Sequence, residues 1–150
     1  MKVFISSVIR GFEPFRDAVV SAVTTLRHTV IRAEDFGAAP DSPRHVCLAA
    51  VRAADAVVLL IGGRYGEADG TSGVSPTHEE FREARDRAPV LVFVQDSVER
   101  EPLQQEFLNE VRAWATGHYT ASFSTPEGLR DAVIVALRDL ELARSAGGVD

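Results

Sequence analysis

Short apolar runs recur along the sequence, and stretches with helical periodicity separate them. The runs occupy residues 3–5, 29–31, 57–61, 90–94 and 119–123. The third and fourth runs are apolar at every position and rich in β-branched residues, which is typical of central parallel strands that helices cover on both faces. The pattern therefore predicts five β-strands.

Amphipathic segments follow the runs and predict five helices. We place these helices at residues 13–26, 43–53, 76–87, 103–115 and 126–143. Two of them begin at a Ser-Pro pair, Ser42-Pro43 and Ser75-Pro76. Such a pair is typical of a helix N-cap followed by proline at the first helical position.

The alternation of strands and helices determines the predicted fold. Strands joined through helices pair in parallel by right-handed crossovers. The sequence therefore predicts an α/β fold, a flavodoxin-like three-layer sandwich with a five-stranded parallel sheet in the order 2-1-3-4-5 and helices on both faces. Residues 1–144 are predicted to form this one domain, and residues 145–150 a flexible tail or the start of a linker.

Composition excludes several classes of function. The net charge is −6 and the arginines are dispersed among 22 acidic residues, so we expect no direct nucleic-acid binding. One cysteine, Cys47, and four histidines without an i,i+4 pair predict neither a disulfide nor a metal site. The longest apolar run, residues 56–61, is too short to span a bilayer, and no signal peptide is evident. We expect a cytoplasmic domain without membrane contact.

The predicted fold indicates where a ligand binds. In such sheets ligands lie beyond the carboxyl ends of the strands, near the switch point between strands 1 and 3. The residues that follow these two strands are Ser6, Ser7, Gly62, Gly63, Arg64 and Tyr65. Hydroxyls can contact a sugar or phosphate, glycines allow close backbone approach, and the last two residues offer a cation and an aromatic face. The same residues also fit an ordinary turn and loop exit.

Glu80 is the candidate catalytic residue. In the helix that begins at Pro76, helical spacing places Thr77, Glu80 and Phe81 on one face, so Glu80 is carried toward the sheet edge while Glu79 turns outward. A carboxylate there can act as a nucleophile or stabilise a ribosyl oxocarbenium ion. The alternative is that Thr77 and Glu80 form a capping box. Proline at position 76 argues against it, because it makes Ser75 the N-cap.

Thr77, on the same helical face as Glu80, is a candidate substrate-binding residue, and four further residues complete the candidate set. Arg16 begins the first helix beside Ser7 and can reach a carboxylate or a bound phosphate, although a solvated helix charge is the commoner outcome. Asp35 and Phe36 lie in the loop after strand 2, and Ser75 precedes the helix that carries Glu80.

Three blocks of the sequence resemble a known family. They are VFISSVIRGFEPFRDAV, AEDFGAAPDSPRHVCLAAVRAADAVVLLIGGRYG and SGVSPTHEEFREA, and the resemblance runs from residue 2 to about residue 95. The family is a TIR-like bacterial domain of uncharacterised function, often found N-terminal to STAND-type NTPases. It looks related to TIR domains and nucleoside 2-deoxyribosyltransferases. This sequence has His78 where the family pattern has an acid, Phe81 where it has tyrosine, and Val8 where threonine is usual.

The resemblance implies an activity and partners. Both relatives cleave N-glycosidic bonds with a glutamate at the start of the helix after strand 3, which corresponds here to Glu80. We therefore expect an NAD glycohydrolase-like effector domain in bacterial signalling or antiphage defence, with NAD as substrate and no bound cofactor. Self-association and fusion to a STAND-type NTPase are expected as well. The alternatives are a non-catalytic TIR-like self-association module and a nucleotide-sensing domain.

Overall fold

Five parallel strands form the centre of the structure. The computed structural model describes residues 1–68, 70, 72–115 and 120–147. The strands are β1 (Lys2–Ser6), β2 (Thr29–Ile31), β3 (Ala56–Ile61), β4 (Val90–Gln95) and β5 (Thr120–Phe123). They are hydrogen-bonded in the order β2-β1-β3-β4-β5. The predicted flavodoxin-like fold and its strand order are thereby confirmed, while position 119 of the predicted last strand lies outside the described residues.

Five helices connect and cover the strands. They are α1 (Glu13–Thr25), α2 (Pro43–Ala53), α3 (Pro76–Ala84), α4 (Pro102–Trp114) and α5 (Pro126–Gly147), and a 3-10 turn (Ala33–Asp35) follows β2. Each helix has proline at its first or second position, where a missing N–H leaves no hydrogen bond unmade. Helix α5 includes the first three residues of the predicted tail, and residues 148–150 lie outside the described part of the chain. None of the described helices is both long and apolar enough to cross a membrane.

Alternating side chains of the strands divide the core into two layers. In β3, Val57, Leu59 and Ile61 pack with residues of α2, α3 and α4. Val58 and Leu60 point the other way, into a second layer formed with α1 and α5. All six residues of β3 are buried, as predicted for a central strand. Helices therefore cover both faces of the sheet.

The two glycines after β3 are packed against the protein itself. A Cβ on Gly62 would lie 2.8 Å from Cε1 of Phe12, and a Cβ on Gly63 would lie 2.5 Å from the carbonyl oxygen of Glu99. The carbonyl of Gly62 also accepts a hydrogen bond from Gln104 Nε2 at 3.1 Å. Glycine is needed at both positions because the end of β3 packs closely against Phe12 on one side and against the segment that precedes α4 on the other.

We expect Gly63→Ala to destabilise the fold, because its Cβ meets a backbone atom that no rotamer change can move away. Overpacking of this kind costs about 1–3 kcal/mol. Gly37→Ala is the matched control, since a Cβ at Gly37 meets nothing within 4 Å and its φ is not in the left-handed region. Urea unfolding should show a lower midpoint for Gly63→Ala and an unchanged or slightly raised one for Gly37→Ala. Equal midpoints would show that the contact with Glu99 relaxes freely.

Candidate functional site

A cavity of about 900 Å³ opens at the carboxyl ends of β1 and β3. Its walls come from the loop after β1, the segment after β3 and the first turns of α2 and α3. This is the position at which doubly wound sheets bind ligands. Six of the residues nominated from the sequence line it: Ser7, Arg16, Arg64, Tyr65, Thr77 and Glu80.

Glu80 lies on the wall of this cavity with its carboxylate almost fully enclosed. The residue is 7% exposed, and its Oε1 accepts a hydrogen bond from Ser6 Oγ at 2.6 Å. The sheet explains this contact: in β1, Phe4 and Ser6 point toward the layer that contains α3, whereas Ile5 points toward α1. Ser75 is the N-cap of α3 and accepts a hydrogen bond from the backbone N–H of His78, so Glu80 is not part of a capping box.

The environment of Glu80 favours the protonated form. Burial raises the pKa of this carboxyl to about 7, and the hydrogen bond from Ser6 and the positive charge of Arg16 counteract the increase only in part. A carboxyl that titrates near neutrality is ionised often enough to react and gains strongly from any cation formed beside it. Such carboxyls are concentrated at functional sites.

Arg16 is buried beneath the cavity. It is 1% exposed, so the solvated position that we considered the commoner outcome is wrong for this residue. Its Nε and Nη2 donate to the two carboxylate oxygens of Glu34 at 2.6 and 2.5 Å, and its Nη1 donates to Ser7 Oγ at 2.9 Å. Partial burial raises the pKa of Glu34, but the hydrogen bonds from Arg16, a backbone hydrogen bond and the charges of Arg16 and Arg32 together hold it below its usual value. The pair fixes Ser7, the residue that directly follows β1.

A second buried network holds the segment after β3 in place. The backbone N–H of Ser75 donates to the hydroxyl of Tyr65 at 3.2 Å, and this hydroxyl lies 2.7 Å from Nδ1 of His78. Nε2 of His78 lies 3.0 Å from Glu110, and its ring stacks on Phe107 at 4.4 Å. These partners assign Nδ1 as acceptor and Nε2–H as donor, which is the neutral imidazole.

The charges around this network agree with a neutral His78. Burial lowers the pKa of His78, although Glu110 works in the opposite direction. Hydrogen bonds from Arg82 lower the pKa of Glu110 to about 2, so this carboxylate stays ionised and accepts from Nε2–H. The network thereby joins the two ends of the loop between β3 and α3.

The first turns of α2 and α3 meet across the cavity. Arg44 Nε lies 2.6 Å from Oε1 of Glu79, and both residues line the cavity. The prediction that Glu79 turns outward is therefore wrong, because α2 packs against that side of α3. Cys47 lines the same wall, but burial, with a smaller contribution from Glu80, raises its pKa to about 11, which keeps the thiol protonated and poorly nucleophilic.

The remaining nominated residues lie outside the cavity lining. Ser6 donates a hydrogen bond to Glu80, and Ser75 caps α3. Gly62 packs against Phe12 and Gln95, and Gly63 packs against Glu99. Asp35 forms an ion pair with Arg32 at 2.9 Å, and Phe36 packs against the core layer beneath α2.

Sequence reasoning missed four residues of this site: Arg10, Glu34, Arg44 and Glu79. Glu34 stands beside Asp35 in the loop we singled out, and only the three-dimensional position of Arg16 distinguishes the two carboxylates. Arg44 and Glu79 become neighbours only through the packing of α2 on α3. Arg10 follows β1 by four residues, so the rule that placed Ser6 and Ser7 at the cleft could have included it.

Solved structures with the same fold include two of note. A CMP N-glycosidase from Clostridium botulinum, BcmB, superposes with a TM-score of 0.60 and 12% identity, over 90% of this chain and 99% of that one. The TIR domains of the activated Roq1 resistosome, which directly recognizes the pathogen effector XopQ, give a TM-score of 0.61 and 13% identity, over 93% and 98% of the two chains. At these identities the likeness shows a shared fold. No curated protein matches the sequence.

A family comparison covers nearly the whole chain. Residues 2–138 match a domain of unknown function, DUF4062. The matched region contains all five strands of the sheet and every residue of the cavity described above. It reaches well beyond residue 95, where the resemblance found in the sequence blocks ended. The chain belongs to the DUF4062 family.

Proposed function

We propose that this domain cleaves the N-glycosidic bond of a nucleotide such as NAD, with Glu80 as the catalytic carboxylate. The observation that carries the proposal is the enclosed carboxylate of Glu80, held by Ser6 on the wall of the 900 Å³ cavity. The family gives no function, but a CMP N-glycosidase with the same fold supports the reaction class by analogy.

The chemistry requires little more than a well-placed negative charge. The bond between C1′ and the base nitrogen breaks, and its electron pair leaves with the base. Nicotinamide leaves as a neutral molecule, so no general acid is needed. Ionised Glu80 would stabilise the ribosyl cation or trap it covalently, and water would then add at C1′ and release a proton.

The burial of Glu80 suits this role. Burial raises the free energy of the ionised form of Glu80, because few protein groups replace the water that would otherwise solvate its charge. A cation that forms at C1′ provides the missing counter-charge, so the interaction is stronger in the transition state than in the free protein. This difference, and not tight binding of the substrate, accelerates a reaction.

The broader role stays a proposal. The sequence resemblance predicts an effector domain in bacterial signalling or antiphage defence, fused to or in contact with a STAND-type NTPase. It also predicts a relation to nucleoside 2-deoxyribosyltransferases, which cleave the same kind of bond.

A non-catalytic self-association module is the second candidate function. On α5, Val135 is 60% and Leu142 is 56% exposed, and a spacing of seven residues places them on one side of the helix. The exposed Arg138 and Asp139 lie between them along the helix, so the two apolar side chains would each contact a partner separately. A second copy of the domain is the partner that this candidate requires.

We expect Glu80→Gln to lower base release by about a hundredfold or more, because it removes the charge but retains an acceptor for Ser6. The assay follows nicotinamide from NAD and cytosine from CMP by chromatography. Glu83→Gln is the matched control, since Glu83 lies one turn further along α3, outside the cavity lining, and pairs with Arg52. The assay should be repeated with the domain fused to a multimerising coiled coil. Equal turnover by wild type and Glu80→Gln, or none in either format, would contradict the catalytic role.

We expect rate and stability to change in opposite directions with pH. Because the ionised carboxylate is the active form, kcat/KM should rise with pH through a midpoint of about 7. The pKa of Glu80 is higher in the folded than in the unfolded state, so the folded state binds the extra proton and stability falls as pH rises from about 4.5 to 7. Relative to Glu80→Gln, the wild type should lose about 3 kcal/mol across this range.

Urea unfolding of both proteins at pH 4.5 and 8.5 measures that difference. If the difference in unfolding free energy between wild type and Glu80→Gln is the same at both pH values, Glu80 is solvated in the folded state. A rate that falls with rising pH would indicate that Glu80 acts as a proton donor.

We expect the double variant Val135→Asp, Leu142→Asp to abolish concentration-dependent self-association, because it replaces the two exposed apolar side chains of α5 with charges. Light scattering over a concentration series measures the self-association of the wild type and of the double variant. Leu103→Asp is the control, since Leu103 is 54% exposed but lies on α4. A wild type that stays monomeric throughout, or a double variant that associates equally well, would reject this surface.

A further inference from the structure

The four arginines that line the cavity fall into two pairs with different surroundings. Arg16 and Arg44 each lie against a carboxylate, Glu34 at 2.5 Å and Glu79 at 2.6 Å. Arg10 and Arg64, here called the mouth arginines, are exposed on the lining, and no carboxylate of a described residue forms an ion pair with either. Their charge is therefore available to a ligand.

The mouth arginines are held together although they come from different loops. Nη1 of Arg64 donates to the carbonyl oxygen of Arg10 at 2.8 Å. Gly11 follows with a φ of +84°, and a Cβ there would lie 3.7 Å from Arg64 Nη1. The backbone turn at Gly11 thus lets the loop after β1 pass beneath the Arg64 side chain. One guanidinium is already oriented before a ligand binds, which lowers the entropy lost on binding.

Other groups around the cavity add to the positive potential. The first turns of α2 and α3 both line it, through Arg44 and Thr77 among others, and a helix N-terminus carries a partial positive charge. The protein as a whole has a net charge of −6, which repels a free anion. Three carboxylates also line the cavity, those of Glu67, Glu79 and Glu80, and Glu79 lies against Arg44. None of them forms an ion pair with a mouth arginine, so these two guanidinium groups favour an anionic group of the ligand at this opening.

We propose that the mouth arginines bind a phosphate group of the ligand, so that this cavity takes a phosphorylated nucleotide and not a free nucleoside. Guanidinium groups suit this task because their planar donors pair with two phosphate oxygens at once. The identity of the rest of the ligand rests on the proposed function, in which Glu80 faces the ribose. The phosphate site itself requires no cleavage.

The test measures binding in the Glu80→Gln protein, so that turnover does not interfere. Calorimetry compares NAD with nicotinamide riboside and CMP with cytidine. We expect the phosphorylated member of at least one pair to bind at least about tenfold more tightly. Arg10→Gln and Arg64→Gln should each remove most of this preference and leave the affinity for the riboside unchanged. Arg112→Gln, which changes the same charge on an exposed part of α4 outside the cavity lining, should retain it.

Two further measurements test whether the variants lose nucleotide binding because the fold is disturbed and not because a phosphate contact is removed. The side chain of Arg10 makes no hydrogen bond to a described residue, so Arg10→Gln should unfold at the wild-type urea concentration. Inorganic pyrophosphate should compete with the nucleotide in the parent protein and not in the two arginine variants. Equal binding of nucleotide and nucleoside, no nucleotide binding, or a loss that extends to the riboside would overturn the phosphate site.

These outcomes separate the phosphate site from the proposed reaction. Phosphate-dependent binding through the mouth arginines without base release in the wild type would leave the site standing and reject the catalytic function. Base release that is equally fast from nucleosides and nucleotides, and insensitive to Arg10→Gln, would retain the reaction and reject the site.

Discussion

The structure around the cavity depends on keeping one carboxylate, Glu80, away from water. A buried carboxylate is tolerated only where hydrogen bonds and nearby cations offset part of its lost hydration. Here Ser6 supplies the hydrogen bond and Arg16 the charge. Arg16 in turn is buried, and it is neutralised by Glu34. Ser6 and Arg16 therefore offset the cost of burying Glu80, and Glu34 offsets the cost of burying Arg16.

The pleat of β1 distributes these groups between the two layers of the protein. Ser6 ends β1 and Ser7 follows it directly, and successive side chains along an extended chain point to opposite faces. Ser6 therefore meets α3 and Glu80, while Ser7 meets α1 and Arg16. A pair of serines at the end of one strand thus connects a helix on each side of the sheet to the same cavity.

Local sequence patterns predicted the strands, the helix starts and the position of Glu80. They did not predict the contacts between residues that are distant in the sequence. The apolar runs, the Ser-Pro caps and the helical face of Glu80 are all readable within a few residues, and the structure has them. The burial of Arg16 depends on Glu34, eighteen residues away, and nothing in the sequence distinguishes Glu34 from Asp35 as its partner. The position of Glu79 likewise follows from the packing of α2 on α3, which helical periodicity alone does not contain.

The network of Tyr65, His78 and Glu110 has a consequence for variation within the family. The sequence resemblance predicts that relatives have an acid where this chain has His78, and an acid in this structure would face the carboxylate of Glu110. Two carboxylates at that distance repel each other, and the acid would leave the Tyr65 hydroxyl without its imidazole acceptor. Positions 65, 78 and 110 should therefore change together during evolution. A chain with the acid would then need a different residue at position 110 and another anchor for the loop after β3.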